Sequence, residues 1–219
     1  MHVDIVYDFL CPWCHVAQRH FTLAVAAHVA DGGSAPVMRW RQYMLYPYFD
    51  RAGHDFLGFF RQRYGEDLRV PMWEQIRSVA EPIGINFAFE KITRGPASID
   101  GHRLVRWAEA KQPGVSGSMI NDLGRSFFGE ARVIDDAFLI ELAEWHGFDG
   151  EAARRHLASD LDIVTLLRET ETLVGQGLRS MPHYEFRHAD GSVTVIRQTS
   201  VAAFRRVLSR ATGQIEAQV

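Results

Sequence analysis

The sequence predicts an α/β fold in which a small mixed sheet is interrupted by a long helical insertion. Three observations predict it: residues 3–9 are strand-forming and run straight into a helix, residues 53–175 carry helical periodicity, and residues 182–197 read as a hairpin ahead of a last helix. At 219 residues, 47% apolar and 23% charged, the chain is long enough to bury a substantial core and has the composition of an ordinary globular protein. A formal net charge of −3 gives no electrostatic reason to expect nucleic acid or an anionic membrane as partner.

The first strand rests on Val3, Ile5, Val6, Tyr7 and Phe9, all β-branched or aromatic. From Pro12 the apolar spacing becomes helical through Val16, Phe21, Leu23, Ala24 and Ala27. Proline is favoured in a helix's first turn, where its missing N–H has no partner to lose, so Cys11 falls at or just before the helix start. Unpaired N–H groups and the helix dipole there favour a thiolate over a thiol. Cys14 lies three residues on and returns beneath Cys11 on the same face. Such a pair closes a small, strained ring that exchanges readily instead of bracing the fold. A closed zinc site needs four ligands, usually with a second cysteine pair or closely spaced histidines; the chain has 2 cysteines, and of His15, His20 and His28 on the following helix His15 adjoins Cys14 and points to a different side, so no metal is expected.

Residues 31–36 are a loop by composition, and residues 37–46 alternate as a second strand, parallel to the first through a right-handed crossover and ended by Pro47. In the insertion, Phe56, Phe59, Phe60 and Tyr64 share a helical face before Gly65, and Pro71 is expected in the first turn of a further helix. Ser98 or Asp100 is expected to cap the helix carrying Leu104, Val105 and Trp107. Ile120, Leu123 and Phe127 form another face. Asp135 or Asp136 is expected to cap a helix ended by Gly147, Asp149 a short one, and Asp160 or Asp162 the last of the insertion. Strands at residues 182–187 and 192–197 meet at Ala189-Asp190-Gly191, where Asp-Gly suits a positive-φ turn; Thr199 or Ser200 is expected to cap the final helix, and residues 213–219 to fray.

Asp8-Phe9-Leu10-Cys11-Pro12-Trp13-Cys14 after a first strand resembles the signature of the DsbA-like thioredoxin-fold proteins, in particular their FrnE-like branch. That branch is similar to the 2-hydroxychromene-2-carboxylate isomerases and kappa-class glutathione transferases. The likeness continues in Trp40 to Pro47, in Asn86 to His102-Arg103-Leu104, in Arg132 to Asp135 and on to Leu142, and in Gly177 to Phe186. The resemblance implies a thioredoxin fold with a large inserted α-helical domain: residues 1–52 and 176–219 form the thioredoxin-like domain, and residues 53–175 cap its active-site side. It also implies a cis peptide bond before Pro182, opposite the thiols, with the backbone of Met181 offered to an extended substrate. Two departures fall at this rim. Met181 stands where relatives often carry valine, and Ile196-Arg197-Gln198-Thr199 replaces a run of small residues. Arg197 either clamps an anionic group such as a glutathione carboxylate or reaches solvent, the latter being the expectation.

The expected function is thiol–disulfide exchange, with Cys11 as nucleophile, Cys14 as its shielded partner, Pro12 and Trp13 shaping the pair, His15 tuning the thiolate, and Met181 and Pro182 contacting substrate. No tightly bound cofactor is expected; glutathione is the candidate co-substrate, and the partner is a thiol- or disulfide-containing protein or glutathione itself. A glutathione-dependent isomerase or transferase is the alternative, although those relatives typically present serine where Cys11 stands. A chaperone-like module with ancillary thiols is the third reading. Both cysteines fall in one motif and no basic-then-apolar leader precedes the first strand, so a cytoplasmic location is expected.

Overall fold

The computed structural model describes residues 1–197 and 199–210. The expected fraying at residues 213–219 therefore lies outside the described residues. β1 (His2–Tyr7), α1 (Pro12–Ala30) and β2 (Val37–Gln42) form a strand–helix–strand unit with β1 and β2 parallel. A two-stranded antiparallel sheet of β3 (His54–Asp55) and β4 (Arg94–Gly95), which the sequence did not announce, brackets α2 (Phe56–Ala80). Five helices follow: α3 (Ile99–Lys111), α4 (Ser116–Gly124), α5 (Asp136–Trp145), α6 (Gly150–Ala158) and α7 (Ile163–Gly175). The chain then returns to the first sheet as β5 (His183–Arg187) and β6 (Val193–Ile196) and closes with α8 (Val201–Arg210). The main sheet has four strands in the order β2-β1-β5-β6, with β5 antiparallel to both of its neighbours. This is a thioredoxin-like fold with a helical insertion between β2 and β5.

One face of the sheet packs against α1 and α8. Phe21, Tyr184, Phe186 and Phe204 meet there at centroid distances of 4.8 to 6.1 Å, with Val3, Ile5 and Leu208 around them. Full burial of each such side chain contributes on the order of 1.5–3 kcal/mol. A larger cluster runs from the thiol turn into the insertion, where Tyr7, Phe9, Cys11 and Cys14 join Phe56, Trp73, Phe89, Phe127 and Phe128. The opposite face of the sheet is covered more thinly, by Leu173 of α7 and Leu178 against Val6.

The second strand ends at Gln42, four residues short of Tyr46 and well before Pro47. The cause is tertiary: after Tyr43, whose N–H still reaches the carbonyl of Tyr7, the N–H groups leave the ladder, Met44 donating to the Thr170 hydroxyl at 3.2 Å and Leu45 to an Asp8 carboxylate oxygen at 2.8 Å. Pro71 is not in a first turn either. Gly65, at φ 67° and ψ 168°, kinks α2, and helix resumes directly after it, leaving Pro71 inside. The capping expectations held at Asp135, which accepts from the N–H of Phe138, and at Asp149, which accepts from that of Ala152. Ser200 accepts from the N–H of Ala203 at the start of α8. Neither alternative at α3 caps in that way. Ser98 occupies the cap position, but its hydroxyl turns to Asp8, and Asp100 pairs with Arg51 and Arg103.

Candidate active site

Cys11 is the N-cap residue of α1, in extended conformation at φ −93° and ψ 108°, with Pro12 following in the first turn. Its sulfur accepts a hydrogen bond from the backbone N–H of Cys14 at 3.3 Å, and its carbonyl accepts from the same N–H at 2.9 Å. A first-turn donor therefore points at the sulfur, an arrangement that stabilises negative charge. Both cysteines are free thiols. They are almost equally enclosed, at 6% and 7% exposure, so shielding alone does not distinguish them as the sequence suggested. Their chemistry does: burial, reinforced by the hydrogen bond and charge of Cys11, pushes the Cys14 thiol well up, although the backbone of Asp8 pulls the other way.

The turn between β1 and α1 is built on Asp8, which is fully buried. Its carbonyl accepts from the N–H of Cys11 at 3.0 Å. One carboxylate oxygen accepts from Leu10 N–H at 3.0 Å; the other accepts from Leu45 N–H at 2.8 Å and from the Ser98 hydroxyl at 3.2 Å. The imidazole of His102, also fully buried, lies 3.4 Å from the same carboxylate, edge-on to Tyr7 and Phe9. One side chain thus ties the turn to the segment after β2 and to the start of α3. Sequence reasoning gave Asp8 no role. The available signal was a carboxylate placed between apolar strand residues, immediately before the cysteines.

The Met181–Pro182 peptide bond is cis, as the resemblance implied. Pro182 and Tyr184 share with Asp8 and Cys14 the wall of a cavity of about 10 Å³, room for at most one water molecule, so this strand start lies directly against the thiol turn. Met181 is half-buried and touches both the cluster that contains the cysteines and the smaller one around Val6. Trp13 is half-buried and packs against the first of these.

His15 lines the same small cavity, with its ring packed among residues of the insertion. Its ring lies edge-on to Phe87 at 6.0 Å, near Phe128, and over Gly124, where an added Cβ would sit 2.5 Å from Nδ1. Burial lowers its pKa to about 4. At neutral pH the ring is uncharged, and the positive charge expected of a tuning residue is not supplied. No group of three or more metal-ligating side chains occurs among the described residues.

Comparison with known proteins places this arrangement. The profile of the DSBA-like thioredoxin domain matches residues 2–193. Among solved structures, a probable DsbA oxidoreductase from Streptomyces coelicolor superposes with a TM-score of 0.81 at 21% identity, over 100% of this chain and 93% of that one. The cytosolic disulfide reductase DsbM from Pseudomonas aeruginosa gives 0.71 at 18%, over 98% and 100%, and has also been solved with GSH. A 2-hydroxychromene-2-carboxylate isomerase gives 0.61 at 15%, over 98% and 95%. At these identities the likeness is one of fold. None of the curated proteins matches the chain.

Proposed function

Because the chain belongs to the DsbA-like thioredoxin family, we propose that it is a thiol–disulfide oxidoreductase whose nucleophile is Cys11 and whose resolving thiol is Cys14. The observation that carries this reading is the asymmetry of the pair: a helix-start sulfur that receives a backbone N–H, beside a second thiol held protonated by its surroundings. In the reducing direction the Cys11 thiolate attacks a substrate disulfide, forming a mixed disulfide and releasing one substrate thiolate, which takes up a proton. Cys14 then loses its proton and attacks the Cys11 sulfur. The Cys11–Cys14 bond forms, the second substrate thiolate leaves, and the enzyme has given up two electrons. A thiol such as glutathione restores the dithiol by the reverse exchange. Pro12 and Trp13 shape the turn, and Met181 and Pro182 flank the incoming sulfur. A nucleophile only 6% exposed suits a small or extended disulfide better than the surface of a folded protein.

The cytoplasm, where glutathione keeps thiols reduced, is the compartment this reading assigns. No helix among the described residues is long and apolar enough to cross a membrane. The test is turnover of a low-molecular-weight disulfide with glutathione as electron donor. Cys11→Ser abolishes it, and Cys14→Ser accumulates a mixed disulfide detectable by mass. The fold likeness to 2-hydroxychromene-2-carboxylate isomerase supplies the competing reading. Full activity in Cys11→Ser with an absolute requirement for glutathione would replace the first reading with that one.

A further inference from the structure

The sheet face that carries Val6 is charged in two rungs of opposite character. In the rung of Asp4, the register places Arg39 on one side and Glu185 on the other. There the charges cancel: Arg39 donates to Asp4 from Nε at 2.7 Å, and Arg187 pairs with Glu185 and lies 3.8 Å from Asp4. Two residues nearer the thiols, Val6 is flanked by Arg41 on β2 and His183 on β5. Tyr184 pairs with Ile196, so Arg197, the next residue, continues this rung beside His183. No carboxylate stands in this rung. Among the described residues neither Arg41 nor Arg197 makes an ion pair, and the nearest acid to His183 is Glu185, at 4.0 Å from Nε2 and already held by Arg187.

The rung begins one residue after Pro182, and Met181 bridges from the cysteine cluster to the cluster beneath Val6. Arg197 is exposed, Arg41 and His183 are half-buried, and Nδ1 of His183 is enclosed without a partner. Resting on the oxidoreductase reading above, we propose that Arg41, His183 and Arg197 form an anion-recognising edge of the thiol site, selecting disulfides that carry a carboxylate a few atoms from the sulfur. Burial and the two arginines lower the pKa of His183, so the positive charge resides on the guanidinium groups and the imidazole serves as a neutral hydrogen-bonding group. The carboxylate belongs to glutathione or to an acidic residue next to a peptide cysteine; the recognition chemistry is the same for both.

The experiment uses the full chain in its dithiol form at low ionic strength. Rates are compared for dianionic 3,3′-dithiodipropionate, neutral 2-hydroxyethyl disulfide and dicationic cystamine, each normalised to its exchange with free dithiothreitol. The expected result is kcat/KM about 10-fold higher for the dianion than for the neutral disulfide, collapsing toward unity in salt, because two cations without ion-pair partners steer an anion by roughly that factor. In the double variant Arg41→Gln, Arg197→Gln the ratio falls to about one, the loss expected when that steering field is removed. Taking the ratio within each variant corrects for any loss of folded enzyme. An unchanged ratio in the double variant, or no preference for the dianion in the parent, overturns the proposal. Reduction of none of the three disulfides overturns the oxidoreductase reading instead. Glutathione disulfide and a peptide disulfide flanked by aspartate separate the two sources: arginine-dependent preference for either supports the edge, and for neither refutes it.

Discussion

Two regions lie against α1, one along its length and one at its start, and are held together differently. Along the helix, Phe21 packs on the Phe186 and Phe204 rings, and the cohesion comes chiefly from apolar area. At its start, Asp8 and Ser98 are buried polar groups whose donors and acceptors must match. Area is forgiving, because a neighbour can partly collapse into a gap. A polar node is specific, because a missing acceptor strands several donors at once. The first region makes the fold; the second fixes where Cys11 sits within it.

The largest break in this comparison is expected from Phe204→Ala, which removes a fully buried ring from the area-held side and costs about 3–5 kcal/mol. Urea unfolding measures the loss, and the exchange rate per folded molecule stays at the parental value. Next comes acid. Folded His15 titrates at about 4 against 6.5 for the unfolded chain, so its contribution is complete above pH 6.5. As the pH falls from there to about 4, the unfolded chain takes up a proton that the folded one refuses, and stability declines by roughly 3 kcal/mol. His20 and His156, whose pKa values burial also lowers, add to the same slope. Unfolding free energies at successive pH values should therefore flatten in His15→Gln relative to the parent. Asp8→Asn, which keeps the shape but loses an acceptor, is expected to cost about 1–3 kcal/mol. Unlike Phe204→Ala, it should also change the reaction rate of Cys11 with a small alkylating reagent in the molecules that remain folded. Arg205→Ala, which removes an exposed pair with Asp31, is expected to cost about 0–1 kcal/mol in the same unfolding assay.

Much of the area-held region was legible in the chain. β1, α1 and the hairpin at Asp190-Gly191 follow from local spacing and turn chemistry, and Asp135 and Asp149 cap as their positions before apolar helices require. The polar node was not legible, because its partners are contributed by distant segments. Nothing near Leu45 says that its N–H goes to Asp8 instead of to the neighbouring strand, so the second strand was read too long. Nor does local sequence say that the helix after Gly65 starts at once and places Pro71 within it. The two thiols and their order were plain from Cys-Pro-Trp-Cys. The direction of His15 was not, since only the packed insertion supplies Phe87, Gly124 and Phe128 to receive its ring.

The sheet order leaves β2 and β6 with one unpaired side each. An open strand is a template on which a foreign segment can add, and charged side chains along it oppose that addition. Both strands show apolar side chains to solvent, Val37 and Met38 on β2 at 60% and 47% exposure and Val193 and Val195 on β6 at 49% and 41%, but β2 also carries Arg39 and Arg41, whereas β6 carries no charge. The margin formed by β6 is the less guarded of the two, and self-association on prolonged storage would be expected to start there, where a lysine in place of Val195 would blunt it.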